Sequence, residues 1–201
     1  MEGDKQQGNR GMVESLSFRW VWATPVNHKQ IGSLYFYLGS AAGCLGFRLR
    51  FIIRVNNSRP GMRFLSMEQY MRVVTAHAII IIFFFVMPMF IGGFGNWLVP
   101  LIIGAPDMAL ARLNAFRFWA LVPALMLLIV SRNTEGGIGT GWTLYPPLSS
   151  IEYHATPAVD LGIFRLHTAG LGRLLGSINF ITTMFCIRGG ANRMDRLVVF
   201  C

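Results

Sequence analysis

The chain has 201 residues, of which 53% are hydrophobic and only 13% charged, and its formal net charge is +9. Soluble domains carry about 25% charged residues, so a soluble enzyme and a disordered chain are both excluded. The excess of basic residues alone would suit a nucleic-acid binder. Long apolar runs and a mean hydropathy of +0.48 point instead to a membrane.

The first 17 residues, MEGDKQQGNRGMVESLS, are polar and of mixed charge. They lack the apolar stretch of a signal peptide, and Glu2, Asp4 and Glu14 are at odds with a transit peptide. Residues 1–17 therefore read as a disordered tail and 18–201 as the membrane part.

A spanning helix needs about 20 largely apolar residues. The first candidate covers residues 31–53, with Arg48 and Arg50 close enough to its end to snorkel. The second, residues 73–103, is a run of 31 residues without Asp, Glu, Lys or Arg. Pro88 predicts a kink there, Gly92, Gly93 and Gly95 a close helix contact, and Pro100 the helix end. The third, residues 118–130, is short, and extending it back takes in Arg117. The fourth, residues 158–187, carries Arg165, His167 and Arg173, an abnormal polar load for a lipid-facing helix. The apolar Leu197 to Cys201 read as the start of a fifth helix, cut off. The predicted fold is an all-α polytopic membrane protein of about four transmembrane helices.

Four spans place nine basic residues on the side of the tail (Lys5, Arg10, Arg19, Lys29, Arg112, Arg117, Arg188, Arg193, Arg196) and five on the other (Arg54, Arg59, Arg63, Arg72, Arg132). The positive-inside rule then puts both termini on the cytoplasm-like side. The cysteines, Cys44, Cys186 and Cys201, form no CxxC and read as neither a disulfide framework nor a zinc site. The two in apolar stretches are expected to be buried, inert thiols. No P-loop, GxSxG or HExxH pattern is present.

His28 and His154 read as ordinary polar residues, and His167 as a packing or hydrogen-bonding one. His77 differs, because it sits alone in TAHAIIIIFFF. An ionisable group inside a membrane is a functional candidate by default. A neutral imidazole among apolar side chains suits an axial haem ligand; a histidine bonded to a neighbouring helix is the other reading. Arg54, at the end of the first span, is expected at similar depth, as a donor to a polar haem edge or as an end anchor. Asp107 and Asn114, in the loop GAPDMALARLN, could form a proton mouth or an interhelical cap. The loop EGGIGTGWTLYPPLSS reads as an ordered outer lid with Trp142 and Tyr145 at headgroup level.

The strings NHKQIGSLYF, VVTAHAIIIIFFFVMPMFIGGFGNWLVPLIIGAPDMALARLN, GTGWTLYPPLSS and LGSINFITTMF occur in this order. Together they closely resemble subunit I of cytochrome c oxidase, the catalytic subunit of the haem–copper oxidases. The resemblance covers residues 18–200 and implies the first four of twelve helices. It implies a mitochondrial inner membrane rather than a bacterial plasma membrane. As partners it implies the lipid bilayer, the remaining subunit I helices and other oxidase subunits, with cytochrome c engaged indirectly and nucleic acid not at all.

By position, His77 matches a ligand of the low-spin haem a iron and Arg54 the arginine facing that haem's formyl group. Tyr70 matches a tyrosine near the same edge, and Trp142 and Tyr145 match aromatics close to the propionates. Asp107 matches the acid at the mouth of the D proton pathway, and Asn96, Asn114 and Asn179 match its asparagines.

The departures are specific. The family's paired serines in the fourth helix are Gly172 and Arg173 here, and a serine after Asn114 is Arg117. The family's sodium/calcium site uses a glutamate and a glycine; here these are Asn56 and Gly61, so an anionic ligand is missing. An acid ahead of the second helix is Met67, with Glu68 beside it. The second haem a ligand, the haem a3 ligand and the CuB histidines belong to later helices of the family, so the chain offers one of two axial bonds to haem a. The isolated chain is not expected to reduce oxygen. Two readings follow: the N-terminal part of an oxidase subunit, or a degenerate, truncated, non-catalytic membrane protein.

Overall fold

A computed structural model describes residues 22–61 and 64–187. The tail at 1–17 and the expected fifth-helix start at 197–201 lie outside the described residues. Four long helices dominate those residues: α1 (His28–Asn56), α2 (Met67–Ile103), α3 (Ala111–Asn133) and α4 (Ala158–Cys186). No strand occurs among the described residues. The first three are long and apolar enough to cross a membrane. α4 is as long as α1, and Arg165 and Arg173 interrupt its apolar sequence. The protein is an all-α polytopic membrane protein.

The helices begin earlier than apolarity predicts. α2 starts at Met67 rather than residue 73, because Ser66 and Gln69 form a capping box in which each side chain accepts from the other's backbone N–H. Glu68 and Arg72 pair on this polar first segment. α3 starts at Ala111 rather than 118, so Asn114 and Arg117 lie on a helix and not in a loop. Pro100 does not end α2. The helix runs on to Ile103 and stops at Gly104, whose φ of 68° is left-handed, while Ala105 N–H donates to Pro100 O.

At 37 residues, α2 extends roughly 55 Å at about 1.5 Å per residue, against about 30 Å of hydrocarbon. Its centre changes pitch in two π-helical stretches, Ile81–Val86 and Pro88–Phe94. Pro88 lacks an N–H, and a shifted hydrogen-bond register absorbs that gap without a break in the helix.

α1 and α2 pack through small residues. A Cβ on Gly43 would stand 2.7 Å from the Phe85 ring, and one on Gly39 2.8 Å from Met89. In the other direction, a Cβ on Gly93 would meet the Phe36 ring at 2.6 Å. Each missing Cβ thus makes room for a large side chain of the facing helix, as in membrane helix pairs generally. Ile31, Tyr35, Ile79, Ile80, Phe84, Phe118 and Leu121 fill the core between α1, α2 and α3. Cys44 and Cys186 are exposed rather than buried.

The turn between α2 and α3 is tied to the start of α1. The backbone N–H and Nδ1–H of His28 donate to Asp107 Oδ1 at 3.3 and 3.0 Å, and Met108 N–H adds a third bond at 2.7 Å. This puts the α1 start and the α2 end at one face, as alternating spans require. His28, expected to be an ordinary polar residue, is buried in this contact.

Gly43→Leu should cost about 1–3 kcal/mol by forcing Phe85 aside, read as a lower thermal midpoint in detergent; an unchanged midpoint contradicts the tight seam. Asp107→Ala should release His28 and cost about 1–3 kcal/mol, read as faster amide deuterium exchange in the first turn of α1. Asp107→Asn keeps an acceptor and should change that exchange less.

Candidate functional site

His77 lies on α2, ten residues after its start, against the glycine-lined seam of α1. Its Nδ1 sits 2.9 Å from Gly46 O. A carbonyl only accepts, so Nδ1–H donates, and in the neutral ring Nε2 then keeps its lone pair. Nε2 has no hydrogen-bond partner among the described residues, and the ring is partly exposed. A backbone carbonyl on one ring nitrogen and a free lone pair on the other is how metal-binding imidazoles are held. His77 therefore fits an axial haem ligand. The interhelical bond uses Nδ1 and an axial ligand role would use Nε2, so the two readings posed as alternatives from sequence are compatible.

Arg54 is exposed in the last turn of α1. It is eight residues beyond Gly46, about 12 Å along the helix, so Arg54 and His77 occupy different levels rather than similar ones. Arg54 has no ion-pair partner among the described residues. The Tyr70 hydroxyl accepts from Asn57 Nδ2 at 2.8 Å, which fixes Tyr70 against the end of α1.

The loop from Glu135 to Ser150 is docked on α2 near His77. Gly141 N–H donates to the buried Thr75 hydroxyl at 3.0 Å, two residues before the histidine. His154 staples the loop to itself: its Nε2 accepts from Gly139 N–H at 3.2 Å and its Nδ1–H donates to Leu148 O at 2.7 Å. Trp142 and Tyr145 remain exposed at 48% and 70%. Among the described residues His167 bonds only its own helix, at Ile163 O.

At the opposite face, three asparagines are fully buried with unmet polar atoms. Asn96 donates to Gly92 O at 2.6 Å, leaving its Oδ1 without a partner. Asn179 accepts from Leu110 N–H at 2.9 Å, leaving Nδ2 unpaired. Asn114 has neither amide atom satisfied. Buried orphan amides of this kind are places for ordered water. Asp107 stands at the surface end of this region, with 38% of its side chain exposed.

Above the asparagines the interior becomes cationic. Arg117 is buried, its guanidinium 4.8 Å from the Phe180 ring and 5.6 Å from the Tyr35 ring, with Nε and Nη2 unpaired. Gly176 leaves the space that its Nη1 occupies. Arg165 is 0% exposed and among the described residues bonds only Gly162 O of its own helix, with both terminal nitrogens unpaired. Arg173 donates to Phe83 O at 3.3 Å. No carboxylate among the described residues pairs with any of the three. Cation–π contact contributes about 2 kcal/mol when desolvated, whereas taking an ion out of water costs several kcal/mol. A cavity of about 80 Å³ lies here, lined by Tyr35, Gly92, Arg117, Gly172, Arg173 and Ser177 among others.

Gly61 sits in an exposed turn at φ 83°. Asn56 Oδ1 accepts from Leu65 N–H at 3.2 Å. The adjoining cavity, about 160 Å³, is lined by Asn56, Asn57, Leu65, Met67 and Tyr70. It has no carboxylate, so it does not fit a sodium or calcium ion well. No group of three His, Cys, Asp or Glu residues suited to a metal ion occurs among the described residues.

Sequence reasoning missed three participants: His28 as the partner of Asp107, Gly46 as the acceptor for His77, and Thr75 as the anchor of the loop. The glycine spacing on α1 was a signal for the second. The other two are long-range contacts without a local signature.

The model of the family described as "Cytochrome C and Quinol oxidase polypeptide I" matches residues 30–201. Cytochrome c oxidase subunit 1 of Yarrowia lipolytica is 48% identical over 184 residues, covering 90% of this chain and 34% of that protein. That of Mytilus edulis is 47% identical over 180 residues, covering 89% and 32%. That of Eremothecium gossypii is 46% identical over 184 residues, covering 90% and 34%. The chain spans about a third of the length of these relatives. With the match running across all four helices, the chain belongs to the cytochrome c and quinol oxidase polypeptide I family.

Proposed function

We propose that this chain supplies part of the catalytic subunit of a terminal respiratory oxidase, which passes electrons from cytochrome c to oxygen and couples this to proton movement. The observation that carries the reading is His77, held by Gly46 O with Nε2 free. Its relatives in three eukaryotes support a mitochondrial inner membrane. The remaining helices of the subunit and the other oxidase subunits are its partners in this reading.

Haem a, when bound, supplies reversible one-electron transfer. Toward it, His77 offers an imidazole oriented by its bond to the α1 backbone. Arg54 offers a cation, and Tyr70, Trp142 and Tyr145 offer amphipathic side chains near the same end of the bundle. The second axial ligand, the haem a3 ligand and the CuB histidines are not in this sequence, so oxygen chemistry needs further polypeptide.

At the other face, Asp107 has Oδ1 engaged by three donors, and Oδ2 is the atom that can take up a proton. Asn96, Asn114 and Asn179 would order water behind it through their unmet amide atoms. The uncompensated Arg117, Arg165 and Arg173 favour the second reading, a non-catalytic membrane protein, because fixed positive charge repels protons.

Co-expression with a polypeptide carrying the later oxidase helices tests the first reading. A reduced-minus-oxidised haem a band is expected in the membranes, and His77→Ala should remove it. A band unchanged by His77→Ala, or no band with the unaltered pair, contradicts it.

A further inference from the structure

We infer that positions 117, 165 and 173 carry serine in the polypeptide that folds in its native membrane, the codons there being AGA or AGG read as serine. Those two codons specify arginine in the standard code and serine in the mitochondria of many invertebrates. The inference rests on the membership of the oxidase family and on what the interior can accept.

Arg117 and Arg165 are buried in the helix bundle and Arg173 is half-buried, and no carboxylate among the described residues pairs with any of the three. Arg117 and Arg165 are 3% and 0% exposed and leave four N–H-bearing nitrogens without an acceptor between them: Nε and Nη2 of the first, Nη1 and Nη2 of the second. Arg173 finds one long bond, to Phe83 O. Arg165 and Arg173 also crowd the same ring, at 5.6 and 4.8 Å from the centre of Phe83, so two like charges share one contact. Uncompensated buried cations of this kind are among the costliest features a bilayer-spanning fold can contain.

A serine removes the cost at each position. Its hydroxyl can bond the carbonyl one turn back, as Ser177 and Thr168 already do on α4, at 3.1 and 2.8 Å. Two of the positions, 117 and 173, are also those where the resemblance places serine. Other arginines meet no such cost: Arg48, Arg50 and Arg54 are exposed on α1 and Arg72 pairs with Glu68. The anomaly is confined to the interior positions. With serine at all three, the interior beyond the buried asparagines is polar and uncharged, and the objection that fixed charge raises against proton passage disappears.

Peptide sequencing by mass spectrometry of the protein from its native membranes tests this. Serine is expected at 117, 165 and 173, with no tryptic cleavage after any of them, and arginine at 54. Arginine at 117, 165 or 173 overturns the inference. The gene offers an independent check: AGA or AGG is expected at the three positions and CGN at 54, and CGN at any of the three also overturns it. Neither readout depends on haem binding, so failure here is distinguishable from failure of the oxidase reading. In recombinant protein, the triple variant R117S/R165S/R173S should have a higher thermal midpoint than the arginine form, and an equal or lower midpoint counts against the inference.

Discussion

The hydrogen bond from His77 to Gly46 O is the contact on which the rest depends. It requires a bare backbone on α1, because a side chain at Gly46 would collide with Ile81. It requires α2 to lie close along the same seam, which the glycines facing Phe85 and Met89 permit. In the neutral ring it selects the tautomer that leaves the Nε2 lone pair for a metal. Helix packing and ligand chemistry are thus one constraint: the small residues that bring two helices together also supply the carbonyl that prepares the imidazole.

The same seam organises both faces of the bundle. Toward the start of α2, Thr75 receives the loop that carries Trp142 and Tyr145. Toward its end, Asp107 receives His28 and fixes where α1 begins. One long helix therefore places a candidate electron-transfer ligand near one end and a titratable carboxyl at the other. The π-helical stretches between them let α2 continue through Pro88 without a break.

Much of this was legible in the sequence. The apolar runs gave the spans, and α4 was predicted almost to the residue, because its flanks are a proline-rich loop and a basic segment. His77 was legible because nothing else nearby can ionise. The helix starts were not, since α2 and α3 begin in polar turns that apolarity cannot detect; Ser66 and Gln69 were the available sign for the first. The predicted burial of Cys44 and Cys186 failed because an apolar stretch in a membrane helix has a lipid side as well as a core side. Asn114 stood out beside Asp107, Asn96 and Asn179 were legible only through resemblance, and the unmet amide atoms of all three emerge only from the fold.

The arginines mark the limit of composition as a guide. Net charge and loop bias treat every basic residue alike, yet Arg54 stands in the open while Arg165 is wholly enclosed. Only burial separates a charge the fold can use from one it cannot hold. The central claim, that α1 fixes His77 as an Nε2 donor, is tested most directly by the nitrogen-15 spectrum of histidine-labelled chain in lipid nanodiscs without haem, with His77 assigned by substitution. The account predicts a neutral Nδ1–H tautomer whose proton is hydrogen-bonded to a carbonyl. A protonated Nε2, or a ring exchanging between tautomers, would contradict it.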